Sequence, residues 1–422
     1  MRIDLTAWSR QFADLPAEVA TGLTQSGLVD VHLAGSPGHW RLDTDSHVGA
    51  IAFPDWDVRV APKLAIPRLM FLLGYAADPR GWRELGPLFD VEDDLFSAVA
   101  HGFALQAERA LSPAPLRGYV TVERSEVTLR GRLRMSDQLA RWPGLPVPLE
   151  LTYDDHLLEI PENRLIRGAA ELLLRMQQIP KSVRLRLLRV RAILEDVEPE
   201  PPSPLVRAPE LTRLNQRYAG ALALAELILR GTSITTRRGE VTSAAFVFDM
   251  NKVFEDFLSA ALGVALERRC GRVQLQYPRR HLDEADRLRL KPDITWWHAG
   301  TCRAVIDAKY KALEVSGIPN ADAYQMLAYC IAFGLDSGYL VYAKDTGQEL
   351  LEHVVRDSEI MIRVRSIDVE REPAEVLSQI HALADEIRDV RARRDSAEPN
   401  RSTDSDIRAS TPTRRADSEA LH

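Results

Sequence analysis

The stretch LKPDITWWHAGTCRAVIDAKYK, residues 290–311, decides how the second half of this chain is expected to fold. It contains two apolar runs, at residues 294–297 and 304–306, which lie on either side of an Ala-Gly pair at residues 299–300. Runs rich in β-branched and aromatic residues around such a pair are typical of two strands joined by a turn. The stretch therefore predicts a β-hairpin.

Three polar residues of this hairpin, Asp293, Asp307 and Lys309, are candidates for a functional site. Successive side chains of a strand point to opposite faces, so Asp307 and Lys309 share one face and the apolar residues that alternate with them line the other. A strict two-residue turn would place Asp293 on the opposite face, whereas an odd-length turn would bring it to the same face. We therefore predict a three-residue or bulged turn around Gly300.

Two carboxylates that converge beside an ammonium form a candidate site for a divalent cation, Mg²⁺ or Mn²⁺. Mg²⁺ prefers oxygen ligands and keeps several waters, one of which can attack a phosphodiester. Lys309 would orient or deprotonate that water, or stabilise charge on the phosphate. An Asp-x-Lys triplet alone is ordinarily an ion pair on a solvated hairpin, so the metal interpretation depends on the neighbouring elements.

Two predicted amphipathic helices supply those elements. The first covers residues 251–269 and carries Glu255 near its start, beside the apolar stripe. The second covers residues 321–335 and places Gln325 and Tyr329 one turn apart on one face. A polar pair on so apolar a helix is either a buried hydrogen-bonded pair or a substrate contact. A buried strand is predicted directly after the second helix.

This order of elements resembles the PD-(D/E)XK nuclease superfamily, and the Gln-x-x-x-Tyr pair resembles its RecB-type branch. The amino-acid sequences of several segments also resemble those of the McrC nuclease subunits of McrBC modification-dependent restriction systems. This resemblance spans about residues 40–345. Those segments are VGAIAFPDWDVRVAPKL (48–64), LRGRL (129–133), YDDHLLEIPENRLIRGAAELLL (153–174), FVFDMNKVFEDFL (246–258), LKPDI (290–294), IDAKYK (306–311) and YQMLAYCIAFG (324–334).

The resemblance implies a metal-dependent DNA endonuclease. Asp293 and Asp307 would be direct ligands of the cation, helped by the main-chain carbonyl of Ala308. Glu255 would contact the cation or a water bound to it, and Lys309 would position the attacking water. The remaining pair, Gln325 and Tyr329, would hold DNA or steady the site.

The resemblance also implies a partner, a hexameric AAA+ GTPase of the McrB type whose own domain recognises 5-methylcytosine in double-stranded DNA. The N-terminal half of this chain would dock on that ring and stimulate its GTPase. The chain itself has no GxxxxGK[ST] phosphate loop and no Gly-Lys dipeptide, so we expect it to hold no nucleotide site.

The fold class expected is a multidomain α/β and α+β chain in five parts. We predict an N-terminal α+β partner-docking domain over residues 1–115 and a middle hairpin and helical region over 116–197. A proline-rich linker or extended connector follows at 198–210, then a PD-(D/E)XK domain with a mixed sheet flanked by helices at 211–394. A disordered tail covers 395–422, where apolar residues are scarce.

Further helices and strands are predicted from apolar spacing alone. Helices are expected over residues 6–26, 66–77, 92–111, 157–178, 211–229 and 374–393, and strands over 29–33, 39–42, 47–53, 58–61, 337–342 and 361–364. Residues 118–133 alternate between apolar and polar side chains as a β-hairpin does.

The overall composition argues against several classes of protein, namely independent DNA binders, iron–sulfur proteins and membrane proteins. The net charge of −7 is unusual for a protein that binds DNA strongly by itself and fits a subunit whose DNA is delivered by a partner. Three cysteines, Cys270, Cys302 and Cys330, are too few for a four-cysteine iron–sulfur site and show no disulfide pattern. No signal peptide and no apolar run of membrane-spanning length is present, so we expect a cytoplasmic protein without membrane contact.

Two other functions remain open at this point. One is a self-sufficient RecB-type repair nuclease, which would cut DNA without a partner. The other is a non-catalytic activator subunit that retains a nuclease fold. The intact set of Glu255, Asp293, Asp307 and Lys309 argues against the second.

Overall fold

The computed structural model describes residues 1–53, 55–79, 95–144, 146–176, 179–235, 243–267, 271–278, 280–311, 318–343 and 351–397. Cys270, residues 236–242 and most of the predicted tail lie outside these residues. Several separate sheets, most of them flanked by helices, make up the described part, as expected for an α+β chain. None of the helices described is both long and apolar enough to cross a membrane.

Short strands alternate with helices in the first two parts of the chain. The first part contains β1 (Arg2–Thr6), β2 (Arg10–Asp14), α1 (Ala17–Ser26), β3 (Asp30–Leu33), β4 (His39–Asp43), β5 (His47–Ala52), β6 (Asp57–Ala61), α2 (Ile66–Ala77) and α3 (Leu95–Leu111). The middle part contains β7 (Gly118–Glu126), β8 (Arg132–Leu133), α4 (Met135–Arg141), β9 (Leu149–Leu157), α5 (Pro161–Arg175) and α6 (Lys181–Ile193).

The last part begins after an irregular segment and a 3₁₀ turn. It contains α7 (Ala219–Gly231), β10 (Thr232–Thr235), β11 (Ser243–Asp249), α8 (Met250–Glu267), β12 (Arg272–Leu275), β13 (Arg280–His281), β14 (Arg289–Leu290), β15 (Ile294–His298), β16 (Thr301–Lys309), α9 (Asn320–Phe333), β17 (Ser337–Ala343), β18 (Leu351–Val354), β19 (Met361–Ile367) and α10 (Pro373–Ala397).

The sheet that carries the candidate site is six-stranded and mixed, in the order β12-β15-β16-β17-β19-β18. Strands β16, β17 and β19 run parallel to one another, and the other pairs are antiparallel. One face, with Ile294 and Ile306, packs in the same core as α8 and α10, while the opposite face, with Val305 and Leu340, packs with α9. The predicted hairpin, both flanking helices and the buried strand after them are confirmed.

A second sheet joins strands of the first part of the chain to two strands that precede α8, in the order β1-β6-β5-β11-β10. Strand β11 pairs with β5 and leads directly into α8, the helix that carries Glu255. The side chain of Ser46, just before β5, donates a hydrogen bond to Asp249 (3.0 Å) and accepts one from Asn251 (2.8 Å). The start of α8 is therefore fixed against the N-terminal part of the chain.

The predicted helix over residues 6–26 is wrong in its first half. Residues 2–6 and 10–14 form β1 and β2, and the helix begins only at Ala17, after Pro16. Trp8, between the two strands, has a φ of 59°, which a right-handed helix cannot contain. An ion pair of 2.7 Å between Arg10 and Asp43 accompanies the pairing of β2 with β4. Strand pairing therefore prevailed over the helical spacing of apolar residues.

The predicted hairpin over residues 118–133 is wrong in its pairing. Both β7 and β8 form strands, but each pairs with β9, which lies between them. The alternation of side chains was interpreted as a local hairpin, whereas the partner strand comes from residues 149–157. Because β9 extends to Leu157, α5 starts at Pro161, later than predicted.

The proline-rich segment over residues 198–210 has no regular secondary structure and is packed against two helices. The amide of Glu200 donates to the carbonyl of Arg164 in α5 (3.0 Å), and the amide of Ser203 donates to the carbonyl of Leu229 in α7 (3.2 Å). Predicted helix 211–229 begins only at Ala219, since the residues before it continue this irregular path. The division of the chain into five parts remains a prediction.

Gly168 of α5 tests how firmly this segment is held. A Cβ atom at this position would lie 2.2 Å from the carbonyl oxygen of Glu200, which is main chain and cannot simply rotate away. We expect Gly168→Ala to lower the free energy of unfolding by about 1–3 kcal/mol, measured by urea denaturation with tryptophan fluorescence.

The matched control is Gly263→Ala in α8, where nothing outside the helix's own main chain lies within 4 Å of an added Cβ. That variant should be neutral or more stable by about 0.5–1 kcal/mol, because alanine loses less entropy than glycine in a helix. Equal unfolding free energies for the two variants would show that the segment moves freely on α5.

Candidate active site

The register of the β15–β16 hairpin sets the position of the two aspartates. Ile294 pairs with Ile306, but His298 pairs with Thr301, so the register shifts by one residue within the hairpin. The shift lies between Trp296 and Trp297, while the turn itself has two residues with φ of 49° and 78°. The predicted bulge therefore exists, but its predicted place in the turn is wrong. Because of this bulge, Asp293 and Asp307 lie opposite one another, before Ile294 and after Ile306.

The carboxyl groups of Asp293 and Asp307 lie opposite one another at the open end of the hairpin and interact electrostatically. Asp293 Oδ2 accepts a hydrogen bond from the main-chain amide of Ala308 (2.9 Å). The Asp307 side chain is only 2% exposed. Burial, together with the charge of Asp307, raises the pKa of Asp293 to about 7, and burial raises the pKa of Asp307 as well. In this environment two full negative charges are unfavourable without a nearby cation.

Lys309 is the cation next to this pair. Its Nζ lies 2.6 Å from Asp307 Oδ2 and donates a hydrogen bond to Gln325 Oε1 (3.0 Å). Burial alone would lower the pKa of Lys309, but Asp307 and the other acidic groups outweigh burial and raise that pKa. The side chain is therefore a permanent cation at neutral pH, which suits it to donating hydrogen bonds and not to removing a proton from water.

Helix α9 braces the lysine through a hydrogen-bonded chain. Gln325 Nε2 donates to the hydroxyl of Tyr329 (2.9 Å), and that hydroxyl donates to the carbonyl of Lys291 (3.1 Å). Tyr329 is buried, and burial raises its pKa, so the hydroxyl keeps its proton. This series of hydrogen bonds, which runs from Lys309 through Gln325 and Tyr329 to Lys291, connects α9 to both ends of the hairpin segment.

Glu255 lies close enough to Asp293 for its charge to raise the pKa of that carboxyl, but it is already held by other groups. Its Oε1 accepts hydrogen bonds from Gln276 Nε2 (2.7 Å) and Lys252 Nζ (3.2 Å). The main-chain N–H of Gln276 in turn donates a hydrogen bond to the main-chain carbonyl of Asp293 (2.8 Å). Gln276 therefore ties Glu255 to the strand that carries Asp293.

Two residues of this site were not predicted from the sequence. Asp322 on α9 is only 6% exposed, and it is ion-paired with Lys311 (2.7 Å) and accepts a hydrogen bond from the Tyr342 hydroxyl (2.7 Å). Its position three residues before Gln325 would have placed it on the same helix face. Gln276 gave no signal, because its φ of 46° at the end of β12 depends on the folded chain.

The donor set fits a Mg²⁺ ion. Within the described residues no group of three or more carboxylate, imidazole or thiolate side chains is arranged to hold an ion. Asp293 and Asp307 nevertheless provide two oxygen ligands, and the Ala308 carbonyl should face the same side, because N–H and C=O of a strand residue point in one direction. Mg²⁺ is often held by one or two carboxylates and keeps its remaining waters. One buried and one half-buried carboxylate, with one lysine beside them, match that pattern.

The first of two similar solved structures shares the fold of this chain. A chain of the Thermococcus gammatolerans assembly of McrB AAA+ hexamers with bound McrC matches with a TM-score of 0.55 and 17% identity, covering 92% of this chain and 100% of that one. A chain from the McrBC complex of the same organism matches at 19% identity with a TM-score of 0.41, covering 63% and 88% of the two chains. No curated protein matches the sequence.

Comparison with protein families gives a more specific result. The sequence model of McrBC 5-methylcytosine restriction system components matches residues 42–343, which is well over half of the chain and includes the hairpin and α9. This chain therefore belongs to the family of McrBC 5-methylcytosine restriction system components.

Proposed function

We propose that this chain is the McrC-type nuclease subunit of a methylation-dependent restriction complex and hydrolyses DNA phosphodiester bonds with Mg²⁺ or Mn²⁺. The observation that carries this proposal is the placement of the Asp293 and Asp307 carboxyl groups opposite one another beside Lys309, with Asp307 almost fully buried. This arrangement has the ligands, the charge and the hydrogen-bond donor that a PD-(D/E)XK site requires. Family membership supplies the biological context, a restriction system.

In this proposal Asp293, Asp307 and the Ala308 carbonyl hold the cation, which when bound polarises the phosphate and acidifies water. Glu255, whose Oε1 is held by Gln276, would accept hydrogen bonds from cation-bound water molecules on the Asp293 side. Both aspartates must be ionised in this role, and their raised pKa values mean that cation binding displaces protons.

Lys309 has the role of orienting the attacking water and of stabilising the charge that develops on a phosphate oxygen. Its raised pKa favours these roles over that of a general base. Gln325 and Tyr329 steady the ammonium, and the burial of Tyr329 favours this supporting role over a direct contact with DNA.

The partner in this proposal is an AAA+ GTPase ring of the McrB type. The solved assembly with the same fold contains McrB AAA+ hexamers with bound McrC, and this chain lacks a phosphate-loop motif of its own. We propose that residues 1–115 dock on the ring and that the ring delivers double-stranded methylated DNA. The net charge of −7 supports delivery by a partner over independent DNA binding.

A plasmid cleavage assay tests the whole proposal. Methylated and unmethylated plasmid are incubated with Mg²⁺ and this chain, with or without the GTPase partner and GTP. We expect cleavage only when partner, GTP and methylation are all present. Cleavage by the isolated chain irrespective of methylation would instead identify a self-sufficient nuclease. GTPase stimulation without any cleavage would identify a non-catalytic activator.

Asp307→Asn tests the metal site in the same assay. The substitution keeps the shape of the side chain but removes its charge, so cleavage should fall by more than about a hundredfold, exceeding typical losses from residues that only support a metal ligand. Added Mg²⁺ should not restore it. Asp357→Asn is the matched control, since Asp357 is exposed at a turn with a φ of 56° that asparagine tolerates. Full cleavage by Asp307→Asn would remove the assignment.

The raised pKa of Asp293 predicts a pH dependence of cation binding. The ionised carboxyl binds the cation, so the affinity for Mn²⁺ should rise by roughly tenfold between pH 6 and pH 8 if one proton with a pKa of about 7 is displaced.

The same raised pKa predicts how stability changes with pH in the absence of a cation. Without cation, the folded chain holds the Asp293 proton more tightly than the unfolded chain. The free energy of unfolding should therefore fall as the pH rises from about 4 to 7 and change little above. Calorimetric titration that gives one affinity at both pH values would contradict the assignment.

A further inference from the structure

The ammonium of Lys309 has two carboxylates within 4 Å. The Nζ atom is 2.6 Å from Asp307 Oδ2 and 3.8 Å from Asp322 Oδ1. In the proposed function Asp307 also binds a divalent cation. An ammonium and a divalent cation on one buried carboxylate repel one another, and that repulsion is large where water is excluded. Lys309 in its present position therefore opposes the cation that the site is proposed to hold.

Asp322 is a buried carboxylate with one oxygen that can accept a further charged hydrogen-bond donor. Its Oδ2 is 2.7 Å from Lys311 Nζ and accepts the hydrogen bond from Tyr342 (2.7 Å), so the side chain is fixed from that side. Its Oδ1 faces Lys309 at a distance about 1 Å longer than a charge-assisted hydrogen bond. A rotation of the flexible lysine side chain can close that gap.

We propose that Asp322 accepts the Lys309 ammonium when a divalent cation occupies Asp307. Asp322 is then a positioning residue, which touches neither the cation nor DNA. Its carboxylate moves Lys309 away from the cation ligand while keeping it charged and close to the reaction centre. This inference rests on the proposed function, because it needs a cation at Asp307. It assigns to α9 a second contribution besides the Gln325–Tyr329 brace.

A double-mutant cycle on the full chain tests this inference by calorimetric titration with Mn²⁺, without DNA or partner. Asp322→Asn should weaken Mn²⁺ binding roughly tenfold when Lys309 is present, since the ammonium then stays on Asp307. In a Lys309→Met background no ammonium has to move, and the same substitution should change the affinity by less than about twofold. Tyr342→Phe removes a hydrogen bond to Asp322 but not its charge, and should leave the affinity nearly unchanged.

Equal losses of affinity in both backgrounds would overturn the inference, because Asp322 would then act on the cation directly. No loss in either background would also overturn it. If the wild-type chain binds no Mn²⁺, the proposed metal site fails first and takes this inference with it. Should Asp322→Asn not fold, Lys311→Met replaces it in the cycle. It frees Asp322 for Lys309 and should tighten Mn²⁺ binding only when Lys309 is present, so equal tightening in both backgrounds would overturn the inference.

Discussion

The proposed site depends on two carboxyl groups that lie opposite one another at the open end of a hairpin. Asp307 is buried and Asp293 is half-buried, and they repel one another, so their ionised state needs positive charge close by. Lys309 supplies one unit of charge, and Lys311 is already paired with Asp322. A salt bridge that only supported the fold would need one carboxylate and one lysine. The second carboxylate, Asp293, is the excess that a divalent cation would neutralise, and it is the reason we propose chemistry at this site.

The surrounding elements act on that pair from three directions. A one-residue bulge within the hairpin brings Asp293 to the face of Asp307. Helix α9 braces Lys309 through a chain of hydrogen bonds, and α8 places Glu255 beside Asp293 through Gln276. Helix α8 is itself anchored at Ser46 in the N-terminal part, so the proposed docking of a partner on that part would have a direct physical connection to the site. The sheet shared by β5 and β11 strengthens this connection.

The site could be predicted from the sequence to a greater extent than the rest of the fold. Asp307 and Lys309 lie two residues apart on one strand, and Gln325 and Tyr329 lie four apart on one helix, so strand and helix periodicity suffice to group each pair. The position of the bulge was not predictable, because it depends on the packing of both strands and not on the turn residues. The N-terminal strands β1 and β2 and the middle strand β9 were missed for a similar reason. Their partners are distant in sequence, and the spacing of apolar residues near Trp8 also fits a helix.

The most direct measurement is a crystal structure of the full chain grown with Mn²⁺, with anomalous scattering recorded at the manganese edge. We predict one strong anomalous peak between the carboxylates of Asp293 and Asp307, within direct coordination distance of both, roughly 2 Å, and near the Ala308 carbonyl. A peak at any other place, or an unchanged Asp307–Lys309 ion pair without bound manganese at saturating concentration, would contradict the claim that these two carboxylates form a metal site.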